Sequence, residues 1–437
     1  MNTFPKVLIF GQPFNSNTGG GITLTNLFQG WDTEKIAVLS VGHLLFNYDT
    51  KICNTYYQLG IKESKWMFPF NKIQKKFESG IIQKKSKGPN EITTNKRPYF
   101  RQKLVDGLFY PFLNYTGLIH KISKLQISTH LQKWLIEFNP EVLYVQVSDR
   151  QGILFAKKLH QLLKIPMVIH NMDDWPSTVS SDGIFKNYWQ QKINKEFKQI
   201  LNKASLLMSI SDDMAAEYKK RYHQDFVTFH NPVNLDFWKK TQKTNYSLSD
   251  NPSVLYAGRI GLGVESSLIL VAKAIQQINN ELGLTIRFIL QTQQKFPWFQ
   301  EYSFLEHAAF VKYEDLPTRF AEADLLILPY DFSKKALKFI KFSMPTKAPE
   351  FMISGTPILI FAPEETAIVK YAQKLNWAQI VTEKNITVLA SEIKSLFENK
   401  NKREELGSNA KKIAEEKFNS IHITEKFRDA INSLIVK

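Results

Sequence analysis

The sequence predicts an α/β protein made of two parallel-sheet units in tandem, and three observations carry that prediction. Short apolar runs rich in branched residues alternate with helical patterns from end to end, which is how βα repeats on parallel strands read. The 437 residues exceed what one ordinary core uses, so two or three domains are expected. A polar, turn-rich stretch without apolar periodicity, KKTQKTNYSLSDNPS at 239–253, divides the runs into two sets and reads as a linker.

Before it, strands are expected at KVLIFG (6–11), IAVLSVG (36–42), EVLYVQVS (141–148), PMVIH (166–170), SLLMSIS (205–211) and DFVTFHN (225–231). After it, they are expected at SVLYAGRI (253–260), TIRFIL (285–290), AAFVKY (308–313), DLLILPY (324–330), PILIFA (357–362) and AQIVT (378–382). Each set makes a Rossmann-like unit, and ligands of such sheets sit at the carboxyl ends of the strands. The expected domains are 1–238, with an insertion at 62–124, and 254–418. A last helix at 419–437 is expected to cross back onto the first domain.

The formal net charge of +16 points to an anionic partner. The insertion holds fourteen Lys and Arg against four acids, so +10 of that charge lies in 63 residues. Trp66, Phe68, Phe70, Phe77, Tyr99, Phe100, Phe109, Tyr110, Phe112 and Tyr115 are interleaved with it, a mixture suited to an anionic membrane surface. The alternative is a long solvated insertion. No recognition-helix, RRM or zinc-finger pattern accompanies the charge, so nucleic acid is not expected. The single cysteine, Cys53, allows no intrachain disulfide and fits a reducing cytoplasm. The start of the chain reads as a strand rather than a signal peptide, and GLFYPFLNYTGLI at 107–119 is too short to span a bilayer. The expectation is a cytoplasmic protein, peripheral on the inner face of the plasma membrane.

Four stretches place chemistry at strand ends. NTGGG, ending in Gly19, Gly20 and Gly21, lies between the first strand and a helix expected from about Ile22; its glycines permit positive φ and close approach to an anion. The spacing is not that of a dinucleotide fingerprint. IHNMDDWP puts His170 at a strand's carboxyl end, with Asp173 and Asp174 beyond it as candidates for an acceptor hydroxyl. Capping of a strand and a helix would explain the same residues. YAGRIGLG puts Arg259 just past a strand, where a guanidinium can hold a diphosphate. In KAPEFMISGTPILIFA, Pro349 fits a first helical turn and Gly355 a stop before a buried strand, leaving Glu350 near the helix N-terminus.

Together with SISDDMAAEYKKRY, HNPVN and PYD, and in this order over about residues 6–375, these segments resemble the GT-B glycosyltransferases, particularly family-four-like enzymes of bacterial surface-polysaccharide synthesis. The resemblance implies two Rossmann-like domains facing across a cleft. It also implies sugar transfer from a nucleotide-sugar donor to a glycan or lipid-linked acceptor, retaining and without a bound metal or tightly held cofactor. By resemblance His170 contacts the donor sugar, Glu350 binds the ribose, and Arg259, Gly261, Thr346 and Lys347 belong to the donor loops. The glycine loop touches acceptor or donor phosphate. Two departures stand out: the family's second diphosphate-binding Lys is missing from GLGVESS, which carries Glu265, and Phe342 stands where a second Glu is common. Lys347 is the expected replacement cation, ahead of Lys338 and Lys341. A GT-B nucleotide-sugar epimerase and a non-catalytic binding or scaffold protein are the rival readings.

Overall fold

The computed structural model describes residues 4–82, 105–179, 182–261, 263–283 and 285–435. The chain divides into two compact units: Met1–Phe229 with Thr424–Lys437, and His230–Ile423.

Unit 1 contains β1 (Val7–Gly11), β2 (Ile36–Val41), β3 (Thr55–Leu59), β4 (Ser64–Trp66), β5 (Gly80–Ile81), β6 (Ser123–Leu125), β7 (Val142–Gln146), β8 (Met167–Asn171), β9 (Leu206–Ser209) and β10 (Val227–Thr228). Its main sheet runs β10-β9-β8-β7-β1-β2-β3-β5 and is parallel except for β5, while β4 and β6 pair antiparallel on their own. Every position of β1, β7 and β8 is buried, as expected for strands covered on both faces. β3 has no counterpart among the expected strands. Its TYYQL is aromatic and polar rather than aliphatic, and buried Gln58 is accommodated because its Nε2 donates to Glu78 O at 2.7 Å.

The insertion contributes β4, β5, β6 and the helices Tyr110–Thr116 and Ile119–Ile122. Tyr99, Phe100 and the basic run around them lie outside the described residues.

Unit 2 contains β11 (Ser253–Ala257), β12 (Arg287–Gln291), β13 (Leu305–Ala308), β14 (Leu325–Pro329), β15 (Ile358–Phe361) and β16 (Gln379–Val381). They form one sheet in the order β13-β12-β11-β14-β15-β16, parallel throughout. β13 lies earlier than the expected 308–313, and Phe310 of that run is 47% exposed. In both sheets the strand order reverses beside the first strand, at β1/β7 and at β11/β14. Ligands of open α/β sheets bind outside the carboxyl ends at such switch points.

The stretch 239–253 is not a loose connector: the division falls earlier, at Phe229/His230, and this stretch is bound along unit 2. Trp238 just before it is fully buried and stacks on Phe320. Lys243 donates from its backbone to Ser354 O and from Nζ to Ala321 O and Ala323 O, the carbonyl end of the helix Leu316–Glu322. Arg403 donates to Tyr246 O. Polar groups that read as solvated loop in sequence are satisfying carbonyls that would otherwise be buried unpaired. The last helix is Ser420–Asn432, and its Phe427 packs edge-on against Phe28, Tyr144 and Phe229 of unit 1.

Candidate functional site

In unit 2 the switch point is lined by residues 258–261 after β11 and by the helix Ala348–Ser354. That helix has Pro349 in its first turn and Gly355 at φ 76 as its left-handed stop. Lys347 precedes it and turns back to β11. Its Nζ donates to Ala257 O and stands 4.7 Å from the centre of the Tyr256 ring. Tyr256 in turn donates its hydroxyl to Arg259 O at 2.6 Å. A Cβ on Gly258 would lie 1.8 Å from that Nζ, so only glycine lets the ammonium press against the strand end. Burial lowers the Lys347 pKa to about 8, with Glu350 opposing the shift.

Glu350 sits in the first turn of that helix, and among the described residues its carboxylate accepts no hydrogen bond. Burial raises its pKa to about 7, against the pull of Lys347. The pair thus consists of a partly desolvated cation and a partly desolvated anion, both partly buried. This is an arrangement that hydrogen-bonding ligand groups would stabilise. Thr346 O accepts from Asn231 Nδ2 at 2.9 Å, which ties the HNPVN stretch to this loop.

Arg259 and Gly261 are exposed in the loop after β11, and a Cβ on Gly261 would meet nothing. Glu265, where the missing lysine was sought, accepts from Trp298 Nε1 at 3.2 Å. Phe342 is buried and forms part of the packing rather than a polar site. Lys341 Nζ stands 5.4 Å from its ring centre, and Lys338 is exposed on the helix Lys334–Ile340.

Asp331, of the PYD stretch, was not singled out from the sequence. Its Oδ1 accepts from Ser267 N at 2.9 Å at the start of the helix Glu265–Leu282. The protein therefore supplies its own carboxylate at that helix terminus. Its place just past a strand was the available signal.

In unit 1 the glycines are not a loop. The helix begins at Gly19, not near Ile22, because Thr18 caps it: Thr18 Oγ1 accepts from Gly21 N at 3.1 Å. None of the three glycines has a positive φ. Gly20 and Gly21 are needed for space, since a Cβ would lie 2.7 Å from Gln146 Nε2 and 2.4 Å from the Asn15 amide.

His170 stands in β8 and is 1% exposed. Its Nδ1 shares a hydrogen bond with Tyr144 Oη at 2.5 Å, and its Nε2 is buried without a partner. Burial lowers its pKa to about 3, which favours the neutral ring. The expected sugar contact is not open at the surface, because the strand end encloses the ring and Tyr144 takes its Nδ1. Asp174 is also not a reactive carboxylate. It is 4% exposed and takes a two-point ion pair from Arg221, at 2.9 and 2.8 Å, and the Tyr218 hydroxyl at 3.0 Å. Its role is to fasten the turn after β8 to the helix Asp212–Tyr222. Asp173 is exposed on that turn.

Among the described residues no three His, Cys, Asp or Glu gather to hold a metal, and no helix is long and apolar enough to cross a membrane. No family model matches the chain, and no curated protein matches it in sequence. Solved structures do match along its whole length. Sucrose-phosphate synthase from Thermosynechococcus elongatus is similar with a TM-score of 0.61 and 12% identity, covering 98% of each chain. Anabaena HepE, solved with UDP-glucose, is similar with a TM-score of 0.57 and 14% identity over 98% of this chain and 100% of that one. WaaG, described as a glycosyltransferase of lipopolysaccharide biosynthesis, is similar with a TM-score of 0.56 and 12% identity over 97% and 99%. The fold is GT-B, with two Rossmann-like domains in one chain.

Proposed function

We propose that the protein is a glycosyltransferase that moves a sugar from a nucleotide-sugar donor to a glycan or lipid-linked acceptor in the synthesis of a bacterial surface polysaccharide. The observation that carries this reading is the Lys347–Glu350 pair at the switch point of unit 2. Two coupled charges are held there at a strand end with hydrogen-bonding capacity unused. Lys347 and Arg259 would take the diphosphate, and Glu350 would accept from the ribose diol. Gly261 and Thr346 would shape the donor loops around them. Cations placed where the leaving diphosphate gathers charge stabilise the transition state more than the ground state. That is the chain's own contribution to breaking the bond to the sugar. Retention and independence from metal are carried over from the family resemblance.

The GT-B likeness to HepE, whose structure holds UDP-glucose, supports the donor class, and WaaG supports the acceptor setting. In unit 1 the Gly19 and Gly20 end of the first helix, capped by Thr18 at Gly21 N, and exposed Asp173 remain the groups for acceptor or phosphate; His170 and Asp174 are left out for the reasons above. The insertion would dock on an anionic inner leaflet through Lys65, Lys72 and exposed Met67 and Phe68, making the protein cytoplasmic and peripheral.

Thermal-shift screening against a panel of nucleotide sugars tests the reading, because a specific donor stabilises in proportion to its affinity. One donor should stand out, with turnover on adding lipid-linked acceptor. A new nucleotide sugar formed without acceptor would indicate an epimerase, and binding without turnover a scaffold. Flotation with anionic liposomes at low salt tests docking; no binding there ends that part of the proposal.

A further inference from the structure

The sheet of unit 2 has a second cationic feature at its carboxyl edge. Past β14, Asp331 donates its backbone N–H to Gly263 O at 2.9 Å, and the chain then forms the helix Lys334–Ile340. A Cβ on Gly263 would stand 3.6 Å from Ile340 Cγ2 and 3.9 Å from the Ala336 Cβ. At the other end Lys341 O accepts from Ala367 N at 2.7 Å, where the helix after β15 begins. The segment thus passes along the carboxyl edge, from the chain after β11, where Arg259 stands, to the helix after β15. It leads on to Thr346 and Lys347.

Its charge is one-sided. Residues 332–349 hold Lys334, Lys335, Lys338, Lys341 and Lys347 and no acid. Ala336 and Ile340 are buried, whereas Lys334, Lys335 and Lys338 are exposed. Lys334 and Lys335 occupy the first helical turn, where the dipole disfavours a cation. Lys338 stands four positions from Lys334 and three from both Lys335 and Lys341, spacings at which like charges repel. Seven residues are too few for intrinsic propensity to absorb those costs. Asp331 is already committed to Ser267 N, and Glu364 and Glu365, exposed past β15, offset at most two of the four lysines at 334–341.

A neutral sugar does not answer this surface. Ammonium groups donate and cannot accept, so hydroxyls would leave their charge uncompensated. In the reading above Arg259 and Lys347 are matched by the diphosphate, which leaves the helix without a counterpart on a neutral donor. A carboxylate pairs with ammonium groups directly. We propose that the donor's sugar is acidic, a uronic acid whose carboxylate is held by Lys338 and Lys341. Lys334 and Lys335 add to the field that draws it in. This rests on the glycosyltransferase reading and narrows its substrate class, with Lys338 and Lys341 setting the sugar preference.

Calorimetry on the whole protein compares UDP-glucose with UDP-glucuronic acid and GDP-mannose with GDP-mannuronic acid, pairs that differ by one carboxylate. In the pair whose base is accepted, the acidic member should bind at least about tenfold tighter, by a margin that narrows as salt is raised. Lys338→Gln with Lys341→Gln should bring the two members within about twofold, by weakening the acidic one. Lys338→Arg with Lys341→Arg should keep the preference. Lys400→Gln with Lys412→Gln, both exposed on the helix Lys400–Lys417, removes the same charge and should also keep it. Equal binding within a pair, or a preference for the neutral member, overturns the proposal and leaves the glycosyltransferase reading standing. A preference that survives Lys338→Gln with Lys341→Gln, or that falls as far in the Lys400 and Lys412 control, overturns the assignment to this helix. Binding of none of the four compounds overturns the glycosyltransferase reading, and the proposal with it.

Discussion

The carboxyl ends of the two sheets carry similar residue types in opposite states. At the end of β8, His170 and Asp174 are enclosed and given partners from their own unit, Tyr144, Tyr218 and Arg221. In unit 2, Lys347 and Glu350 are held in poor solvation with their bonding only partly met. Residue type and place at a strand end are therefore insufficient to mark a site. What separates Asp174 from Glu350 is whether the fold has already spent the carboxylate's hydrogen bonds.

That contrast can be broken by substitution. Asp174→Ala should cost unit 1 about 2–4 kcal/mol, because it leaves the Arg221 guanidinium without its buried partner, and urea unfolding reads this. Nucleotide-sugar affinity of the folded variant should stay at the wild-type level; a loss would return Asp174 to the site. Lys347→Met should do the reverse. Donor affinity should fall by about 2 kcal/mol, roughly thirtyfold, for a lost charged hydrogen bond, with unfolding little changed. Glu350→Gln should weaken binding by about 1–2 kcal/mol. The deficit should vanish with a nucleotide lacking both ribose hydroxyls; if it persists, the ribose assignment fails.

The smallest effect concerns pH. Donor binding needs Glu350 ionised and Lys347 protonated, so affinity should rise as pH passes about 7 and fall as it passes about 8. The sign for folding differs. The folded chain holds the Glu350 proton more tightly than the unfolded one, whose carboxyl has the ordinary 4.5, so this group's contribution to stability is lost as pH rises from there to about 7. Isothermal titration of donor binding between about pH 5.5 and 9 should give a single maximum between the two values. His170→Phe should leave that profile unmoved, since a ring with a pKa of about 3 does not titrate there.

Much of this was legible in the sequence where the signal is local. Aliphatic strands, the Pro349 to Gly355 helix and the position of Glu350 follow from neighbours a few residues apart. β3 escaped because TYYQL has no aliphatic run, and its Gln58 is tolerated only through Glu78 O, supplied by the insertion. The enclosure of His170 depends on Tyr144, 26 positions away, and no periodicity reports that. Lys243 reads as solvated until the carbonyls of Ala321 and Ala323 are seen above it.

Gly258 and Lys347 are 89 positions apart, yet the ammonium of one rests where the other has no side chain. A methyl group at 258 would evict the ammonium, and at φ 159 it would be strained even with a shorter residue at 347. Position 258 should therefore stay glycine when this protein is diversified in the laboratory, whatever stands at 347. A library that varies 347 on that fixed glycine reports on the cation, whereas one that varies 258 reports on the backbone.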